Sequence, residues 1–153
     1  MSRLETKVPP PVFAVLAVLV ALGVNWWLPQ FRIVTGPIFW VGVGLLIAGI
    51  ALVVAAVLQF MKVKTTIDPL DPSRTSALVT GGVFRLTRNP MYLAMLLEVL
   101  GLVLILGNPV SLIGPVLFVF AVTVLQIRPE ERALRAKFGP TYVDYCAQVR
   151  RWI

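Results

Sequence analysis

Four long apolar runs alternate with polar breaks along the 153 residues of the chain. The runs cover residues 10–28, 38–61, 90–107 and 109–127. At about 1.5 Å per helical residue, each run crosses or nearly crosses a hydrocarbon core of about 30 Å. The pattern predicts an all-α integral membrane protein that forms a single membrane domain over residues 1–153, with four transmembrane helices, a central loop and a helical C-terminal tail.

The polar breaks differ in length and therefore in their predicted role. The turn "GNPV" leaves room only for a tight antiparallel hairpin between the third and fourth runs. Residues 62–89 are too long for a hairpin and are rich in Pro, Gly, Asp and Ser, so they are a candidate site element. Beyond the fourth run, Pro129 suits a first helical turn, Gly139 a helix stop and Pro140 the position after it.

Composition and charge support the membrane assignment and orient it. Apolar residues make up 58% of the chain and charged residues 14%, with a mean hydropathy of +0.88. If both termini share one side with the central loop, that side carries thirteen basic residues and the other side carries only Arg32. The thirteen are Arg3, Lys7, Lys62, Lys64, Arg74, Arg85, Arg88, Arg128, Arg132, Arg135, Lys137, Arg150 and Arg151. The positive-inside rule then predicts a cell (inner) membrane protein with cytoplasmic termini, and this explanation of the charge argues against nucleic-acid binding.

Several chemistries are excluded or weakened by residue usage. The chain has no histidine, which excludes histidine-based zinc sites, histidine-activated nucleophiles and imidazole proton relays. Cys146 is the single cysteine and can form no internal disulfide. The stretch "VGVG" lies inside an apolar run, so it does not indicate a dinucleotide site. Its glycines, with two small residues nearby, are expected to let helices approach closely: Gly42, Gly44, Ala48 and Gly49.

Two polar clusters flank the third and fourth runs. The first, "TRNPMYL", has Asn89 at a helix-capping position, Pro90 at a first helical position and Tyr92 at an interface position. The second, "PEERALRAKFGP", places Glu130 and Glu131 at the positive end of a helix, where Glu131 is also spaced to pair with Arg135. Each cluster by itself is compatible with a purely structural role.

Together, and in this order, the clusters resemble bacterial-type members of the isoprenylcysteine carboxyl methyltransferase and phospholipid methyltransferase superfamily. The resemblance covers residues 66–152 and rests on two elements. One is Arg-x-Pro-x-Tyr; the other is Glu-Glu-x-x-Leu, followed by Phe-Gly and a tyrosine. Their residues here are Arg88, Pro90 and Tyr92, then Glu130, Glu131, Leu134, Phe138, Gly139 and Tyr142.

The resemblance implies an S-adenosylmethionine-dependent methyltransferase whose cytoplasmic cofactor pocket receives a lipophilic acceptor from the bilayer. The implied cofactor-binding residues are Val79, Gly82, Phe84, Arg88, Asn89, Pro90, Tyr92, Glu130, Glu131 and Tyr142. Arginine and glutamate suit the cofactor's carboxylate and ammonium, and Phe84 with Tyr92 suits its adenine or sulfonium. In-line methyl transfer requires alignment and desolvation, so the lack of histidine and of a metal site is no obstacle.

Two departures from the family leave the acceptor open. Asn89 stands where the prenylcysteine enzymes have histidine, and Gln148 stands where they have an arginine near the substrate carboxylate. Asn89 still donates and accepts hydrogen bonds. Arg150 and Arg151 are candidates for the acceptor side, while a prenylcysteine carboxylate, a lipid amine, a phenol and a thiol all stay open as acceptors, as does the oligomeric state.

Two other functions compete with the enzyme. Glu98 lies in the middle of the third run, and a carboxylate in a membrane is costly and often functional, which suits a small proton-coupled exporter. A non-enzymatic membrane subunit is the third hypothesis. The many polar residues in 62–89 and 128–152 favour the methyltransferase over the exporter and the non-enzymatic subunit.

Overall fold

The computed structural model describes residues 8–33, 36–63 and 77–153, and the regular elements in these ranges are helices. The α-helices are α1 (Pro10–Trp27), α2 (Gly36–Val63), α3 (Pro90–Leu106), α4 (Ile113–Val122) and α5 (Arg128–Gln148). Four of the predicted cytoplasmic cations lie outside the described residues: Arg3, Lys7, Lys64 and Arg74. The all-helical membrane class is confirmed.

Three helical runs in the described part of the chain are long and apolar enough to cross a membrane: α1, α2 and the continuous run Pro109–Gln148. The fourth apolar helix, α3, has 17 residues, or about 26 Å of rise. It is therefore shorter than the usual spanning length of about 20 residues. The membrane assignment thus holds for three runs, while the count of four spans stays a prediction.

Hydrogen bonds at the two ends of the bundle show that successive runs are antiparallel. At one end, the Asn108 side chain donates to the Leu28 carbonyl at 2.9 Å, and the Ile33 amide donates to the Gly107 carbonyl at 2.6 Å. At the opposite end, the side-chain amide of Gln126 donates to the Val8 carbonyl. The hairpin predicted from "GNPV" is therefore present, and its turn is closed by Gly107 in the left-handed conformation.

Glycines set the close crossing of α2 and α3. A Cβ on Gly42 would lie 2.7 Å from the Gly101 carbonyl oxygen, and a Cβ on Gly101 would lie 2.7 Å from that of Gly42. Gly49 is buried against the Glu98 side chain. The predicted role in helix approach is confirmed for Gly42 and Gly49. It is wrong for Gly44 and Ala48, which are exposed because they lie on the opposite side of α2.

The last helical run carries two irregularities near the polar cluster. A π-helical turn, Thr123–Ile127, joins α4 directly to α5, so the fourth apolar run and the tail helix are continuous. Within α5, Gly139 adopts φ 53° and ψ −128°, a left-handed φ that interrupts the helix at the predicted stop. The helix then resumes through Gln148, a continuation that the sequence pattern did not predict.

Candidate functional site

The start of α3 is anchored to the segment that follows α5. Asn89 occupies the N-cap position and Pro90 the first helical position, as predicted, but the Asn89 side chain makes no capping hydrogen bond. Its amide nitrogen instead donates to the Arg151 carbonyl at 2.9 Å. Asn89 therefore lies at the predicted N-cap position, but its side chain does not cap the helix. It joins the start of α3 to the segment after α5 instead.

Two more hydrogen bonds hold these two segments together, and a third orders the start of α3 itself. The Arg88 amide donates to the Arg150 carbonyl at 3.0 Å, and the Thr87 hydroxyl donates to the Arg151 carbonyl at 3.2 Å. The hydroxyl oxygen of Thr87 also accepts a hydrogen bond from the backbone N–H of Asn89 at 3.1 Å. Thr87 is almost fully buried, so this junction is part of the folded core at the polar end of the bundle.

The carboxylate of Glu131 is neutralised by two arginines, one from each of the two joined segments. This carboxylate contacts the Arg88 guanidinium at 3.2 Å and accepts two hydrogen bonds from Arg151, at 3.0 and 2.7 Å. The two-point contact has the fork geometry preferred by arginine and carboxylate, and it raises the pKa of Arg151. Glu131 does not use the predicted Arg135 partner. With two arginines beside it, Glu131 has no charge left over for a further cation.

Glu130, the adjacent acid, has a different environment. It accepts a hydrogen bond from the hydroxyl of Tyr92, which is buried at the start of α3. Glu130 lies beyond the predicted fourth span, which ends at residue 127, and its side chain is only partly exposed. Burial raises the pKa of Glu130 to about 7; the Tyr92 hydrogen bond acts in the opposite direction, and the charge of Glu131 adds to the rise. A nearby cation would stabilise the charged form of this carboxylate.

Arg88 retains one unused donor. Its Nε is buried and has no hydrogen-bond partner among the described residues, although a terminal nitrogen of the same guanidinium contacts Glu131. A buried, unpaired N–H of a charged group is costly unless an acceptor binds there. The site thus offers an acid for a cation at Glu130 and a donor for an anion at Arg88.

The remaining predicted residues divide between two apolar clusters. Val79 and Phe84 are buried together against α2, where Phe84 meets Phe60 edge to face at 5.3 Å. Tyr142 is buried with Tyr145 and Val149. Gly82 is exposed and has a left-handed φ of 57° beside Gln59 of α2. The structure therefore brings together Arg88, Asn89, Pro90, Tyr92, Glu130 and Glu131. Burial raises the pKa of Tyr142, and the charges of Glu131 and Arg88 also act on it, so Tyr142 lies beside this group. Val79, Phe84 and Gly82 lie on the α2 side.

Tyr145 is a connecting residue that sequence reasoning missed. Its hydroxyl donates to the Phe84 carbonyl at 2.6 Å, which links the two apolar clusters. Thr87 and the backbone of Arg151 were missed in the same way. The spacing of Tyr145 three residues after Tyr142 was the one signal that could have identified it, since both then lie on one helix face.

Within the described ranges, neither the acceptor-side candidates nor Glu98 forms a hydrogen bond or ion pair with Tyr92 or Glu130. Arg150 is exposed, while Arg151 is engaged by Glu131. Glu98 is half-buried at the edge of a groove of about 340 Å³, lined otherwise by apolar residues of α1, α2 and α3. Among the described residues it has no hydrogen bond or ion pair, and the exporter hypothesis stays a prediction.

Comparisons with known proteins place this arrangement in a family context. The family described as phospholipid methyltransferase matches residues 37–141. An uncharacterized protein of Haemophilus influenzae is 41% identical over 63 residues, which is 41% of this chain and all of the relative. Protein-S-isoprenylcysteine O-methyltransferases A and B of Arabidopsis thaliana are each 28% identical over 125 residues, covering 82% of this chain.

The match to the plant enzymes is partial on their side. The chain spans 58% of the length of each Arabidopsis protein. No solved structure matches the chain. The family match nevertheless includes both the start of α3 and the acidic pair of α5.

Proposed function

This chain belongs to the phospholipid methyltransferase family, within the superfamily that also contains the isoprenylcysteine methyltransferases. From that membership and from the polar site at the start of α3, we propose that it is an S-adenosylmethionine-dependent methyltransferase. Its acceptor is a lipophilic molecule that partitions into the membrane. The cofactor-binding half corresponds to residues 66–152, and the site lies on the cytoplasmic face of the inner membrane.

The observation that carries the proposal is the unequal pairing of the two adjacent acids. Glu131 is neutralised by Arg88 and Arg151, whereas in the described part of the chain Glu130 has only the Tyr92 hydroxyl as a partner. A single acid with a raised pKa is the group that gains most from an incoming ammonium. The unpaired Nε of Arg88 is the matching donor for a carboxylate. The residues present therefore fit the amino-acid part of S-adenosylmethionine.

Each residue then has a defined task. Glu130 binds the ammonium and Arg88 the carboxylate of the cofactor, while Tyr92 holds Glu130 in position through its hydroxyl. When bound, S-adenosylmethionine supplies an electrophilic methyl group. The ties from Thr87 and Asn89 to Arg151 fix the segment after α5 against α3 and so limit the entry of water. The protein contributes alignment and desolvation, and no residue is required to carry a proton.

Calorimetric titration of the purified full chain with S-adenosylmethionine tests the proposal. We expect saturable binding, and we expect Glu130→Gln to weaken it roughly ten- to hundredfold, because one charge-assisted hydrogen bond of about 1.5 to 3 kcal/mol is lost. Arg135→Gln is the matched control, since Arg135 is exposed on the same helix. Absence of binding at millimolar cofactor would overturn the proposal.

A further inference from the structure

The π-helical turn Thr123–Ile127 contains polar atoms that the proposed cofactor site does not use. Gln126 is completely buried, and its Oε1 has no hydrogen-bond partner among the described residues. The hydroxyl oxygen of Thr123, one turn earlier, is also buried and has no partner in the described part of the chain. Buried polar atoms without partners are rare, and π-helical turns are frequent at functional sites.

The contact with the Val8 carbonyl fixes which way the side-chain amide of Gln126 is turned. The Val8 carbonyl faces the Gln126 side chain, and a carbonyl can only accept a hydrogen bond. The group facing Val8 must therefore be the Nε2 amino group. The free half of Gln126 is a carbonyl oxygen, which accepts hydrogen bonds and donates none.

Gln126 lies next to the proposed cofactor site on the membrane side. It precedes Glu130 by four residues on one continuous helical run, so the two side chains share a face about 6 Å apart along the axis. Glu130 in turn accepts a hydrogen bond from Tyr92. Tyr92, Ile127 and Val8 belong to or pack on the same apolar cluster, which also includes residues of α1 and α4.

We infer that the Gln126 carbonyl oxygen orients the methyl acceptor by receiving a hydrogen bond from its nucleophilic atom; this inference rests on the proposed function. An acceptor oriented in this way carries hydrogen on the reacting atom, as a neutral amine, a hydroxyl or a thiol does. A carboxylate has only accepting oxygens, and beside the Gln126 oxygen it would be desolvated without a donor. Gln126 is therefore a specificity-determining residue that selects against carboxylate acceptors.

The arginines proposed from sequence for a carboxylate acceptor agree with this selection. Both oxygens of Glu131 hold the Arg151 guanidinium, and Arg150 is exposed to solvent. The unpaired Nε of Arg88 is assigned to the carboxylate of the cofactor. Of Arg150 and Arg151, only Arg150 is left for an anion, and its side chain is exposed to solvent, whereas Gln126 is completely buried.

The reaction balances without a proton-accepting side chain when the nucleophile is an amine. The nitrogen donates an N–H to Gln126 and directs its lone pair at the methyl carbon. A new N–C bond forms while the S–C bond breaks, and the electron pair of that bond stays on sulfur, which becomes a neutral thioether. The amine becomes a methylated ammonium and keeps its proton until it meets water. A hydroxyl or thiol would leave a proton with no assigned acceptor, so the amine is the acceptor class for which the step balances.

A matched pair of acceptors tests the inference in the full chain reconstituted in lipid nanodiscs. Dodecylamine and dodecanoic acid share one alkyl chain, and methyl transfer from radiolabelled S-adenosylmethionine to each is measured. We expect methylation of the amine and none of the acid. Gln126→Leu is expected to lower kcat/KM for the amine roughly ten- to hundredfold, the effect of one lost hydrogen bond to a buried group, with cofactor affinity unchanged.

The variant Gln126→Glu tests the role of the accepting oxygen separately from the role of the hydrogen bond to Val8. This variant keeps accepting oxygens and loses the amino group that binds Val8, so it should retain amine methylation that Gln126→Leu has lost. Equal loss in both variants would assign Gln126 a structural role and overturn the inference. Methylation of dodecanoic acid as fast as dodecylamine would overturn it too, while saturable cofactor binding would leave the proposed function standing.

A photo-crosslinking measurement decides the case in which neither probe is methylated. An alkylamine bearing a diazirine next to its amino group is irradiated with the protein, and labelled positions are identified by mass spectrometry. Labelling of residues 123–127 that disappears in Gln126→Leu supports the inference. Labelling elsewhere, or unchanged labelling in the variant, overturns it.

Discussion

The hydroxyl of Tyr92, in the first turn of α3, donates a hydrogen bond to the carboxylate of Glu130, in the first turn of α5, across 38 positions of the chain. This bond joins the two polar clusters that flank the hairpin of the third and fourth apolar runs. It also distinguishes Glu130 from Glu131, which is held by two arginines. The different partners of Glu130 and Glu131 give the site its main testable properties.

Cofactor binding is expected to depend on the protonation of Glu130. Burial raises its pKa to about 7, so the carboxyl is neutral below that pH and charged above it. Only the charged form attracts an ammonium, and we therefore expect affinity for S-adenosylmethionine to rise about tenfold from about pH 6 to about pH 8. Titrations across this range, in buffers of different ionisation enthalpy, measure both the affinity and the proton release on binding.

Glu130→Gln is the control for the pH profile, and its affinity should be nearly independent of pH because the chain has no histidine to titrate in this range. Stability without cofactor should change in the opposite direction. The unfolded carboxyl ionises first, near 4.5, so the folded state loses stability as the pH rises from there through about 7. A pH profile that is equally steep in the parent and in Glu130→Gln would contradict the assignment.

Asn89 is expected to act on the cofactor site through the segment after α5. Asn89→Ala removes the hydrogen bond to the Arg151 carbonyl, and Arg151 holds Glu131 beside Glu130. We expect weaker cofactor binding by about 1 kcal/mol, and a non-additive loss when the change is combined with Glu130→Gln. A double-mutant cycle of cofactor affinities measures the coupling.

Asn25→Ala is the matched control for Asn89→Ala. Asn25 accepts a hydrogen bond from Arg32 at 2.8 Å at the opposite end of the bundle, so its loss should leave cofactor affinity unchanged. Strictly additive effects of Asn89→Ala and Glu130→Gln would mean that Asn89 contributes to folding alone. Direct contact of Asn89 with the cofactor stays a prediction.

The α2–α3 crossing predicts opposite effects for two glycines two positions apart. Gly42→Ala places a methyl group 2.7 Å from the Gly101 carbonyl and should destabilise the fold by about 1 to 3 kcal/mol. The methyl group of Gly44→Ala meets no atom of the described residues within 4 Å. It should be neutral, or stabilising by up to about 1 kcal/mol through helix propensity. Thermal unfolding of both variants in the same detergent compares them, and equal melting temperatures would show that the helices do not cross at Gly42.

Membrane orientation is tested by labelling of single cysteines. In a Cys146→Ser background, Gln30→Cys lies in the exposed turn after α1 and Ala136→Cys on the exposed side of α5. The positive-inside distribution predicts that a membrane-impermeant maleimide labels intact cells at position 30 and labels position 136 only after lysis. Labelling of both positions from outside would contradict a cytoplasmic site.

The sequence by itself determined the class of protein and the place of its chemistry. Apolar runs long enough to span a bilayer require helices, because unpaired backbone groups are not tolerated in lipid. The start of α3 at Pro90 and the break at Gly139 followed from the backbone limits of proline and glycine. The order of the Arg-x-Pro-x-Tyr and Glu-Glu-x-x-Leu elements indicated the family that the match over residues 37–141 confirms.

Only the tertiary structure decided which side each helix presents and which polar groups meet. A helix that is apolar all round carries no periodic mark of its rotation, so Gly42 and Gly44 were indistinguishable until α3 was packed against one of them. Adjacent Glu130 and Glu131 look alike along the chain, yet their side chains leave the helix about 100° apart and meet different partners. The free oxygen of Gln126 and the tie from Asn89 to Arg151 likewise depend on residues more than sixty positions away, which no local pattern encodes.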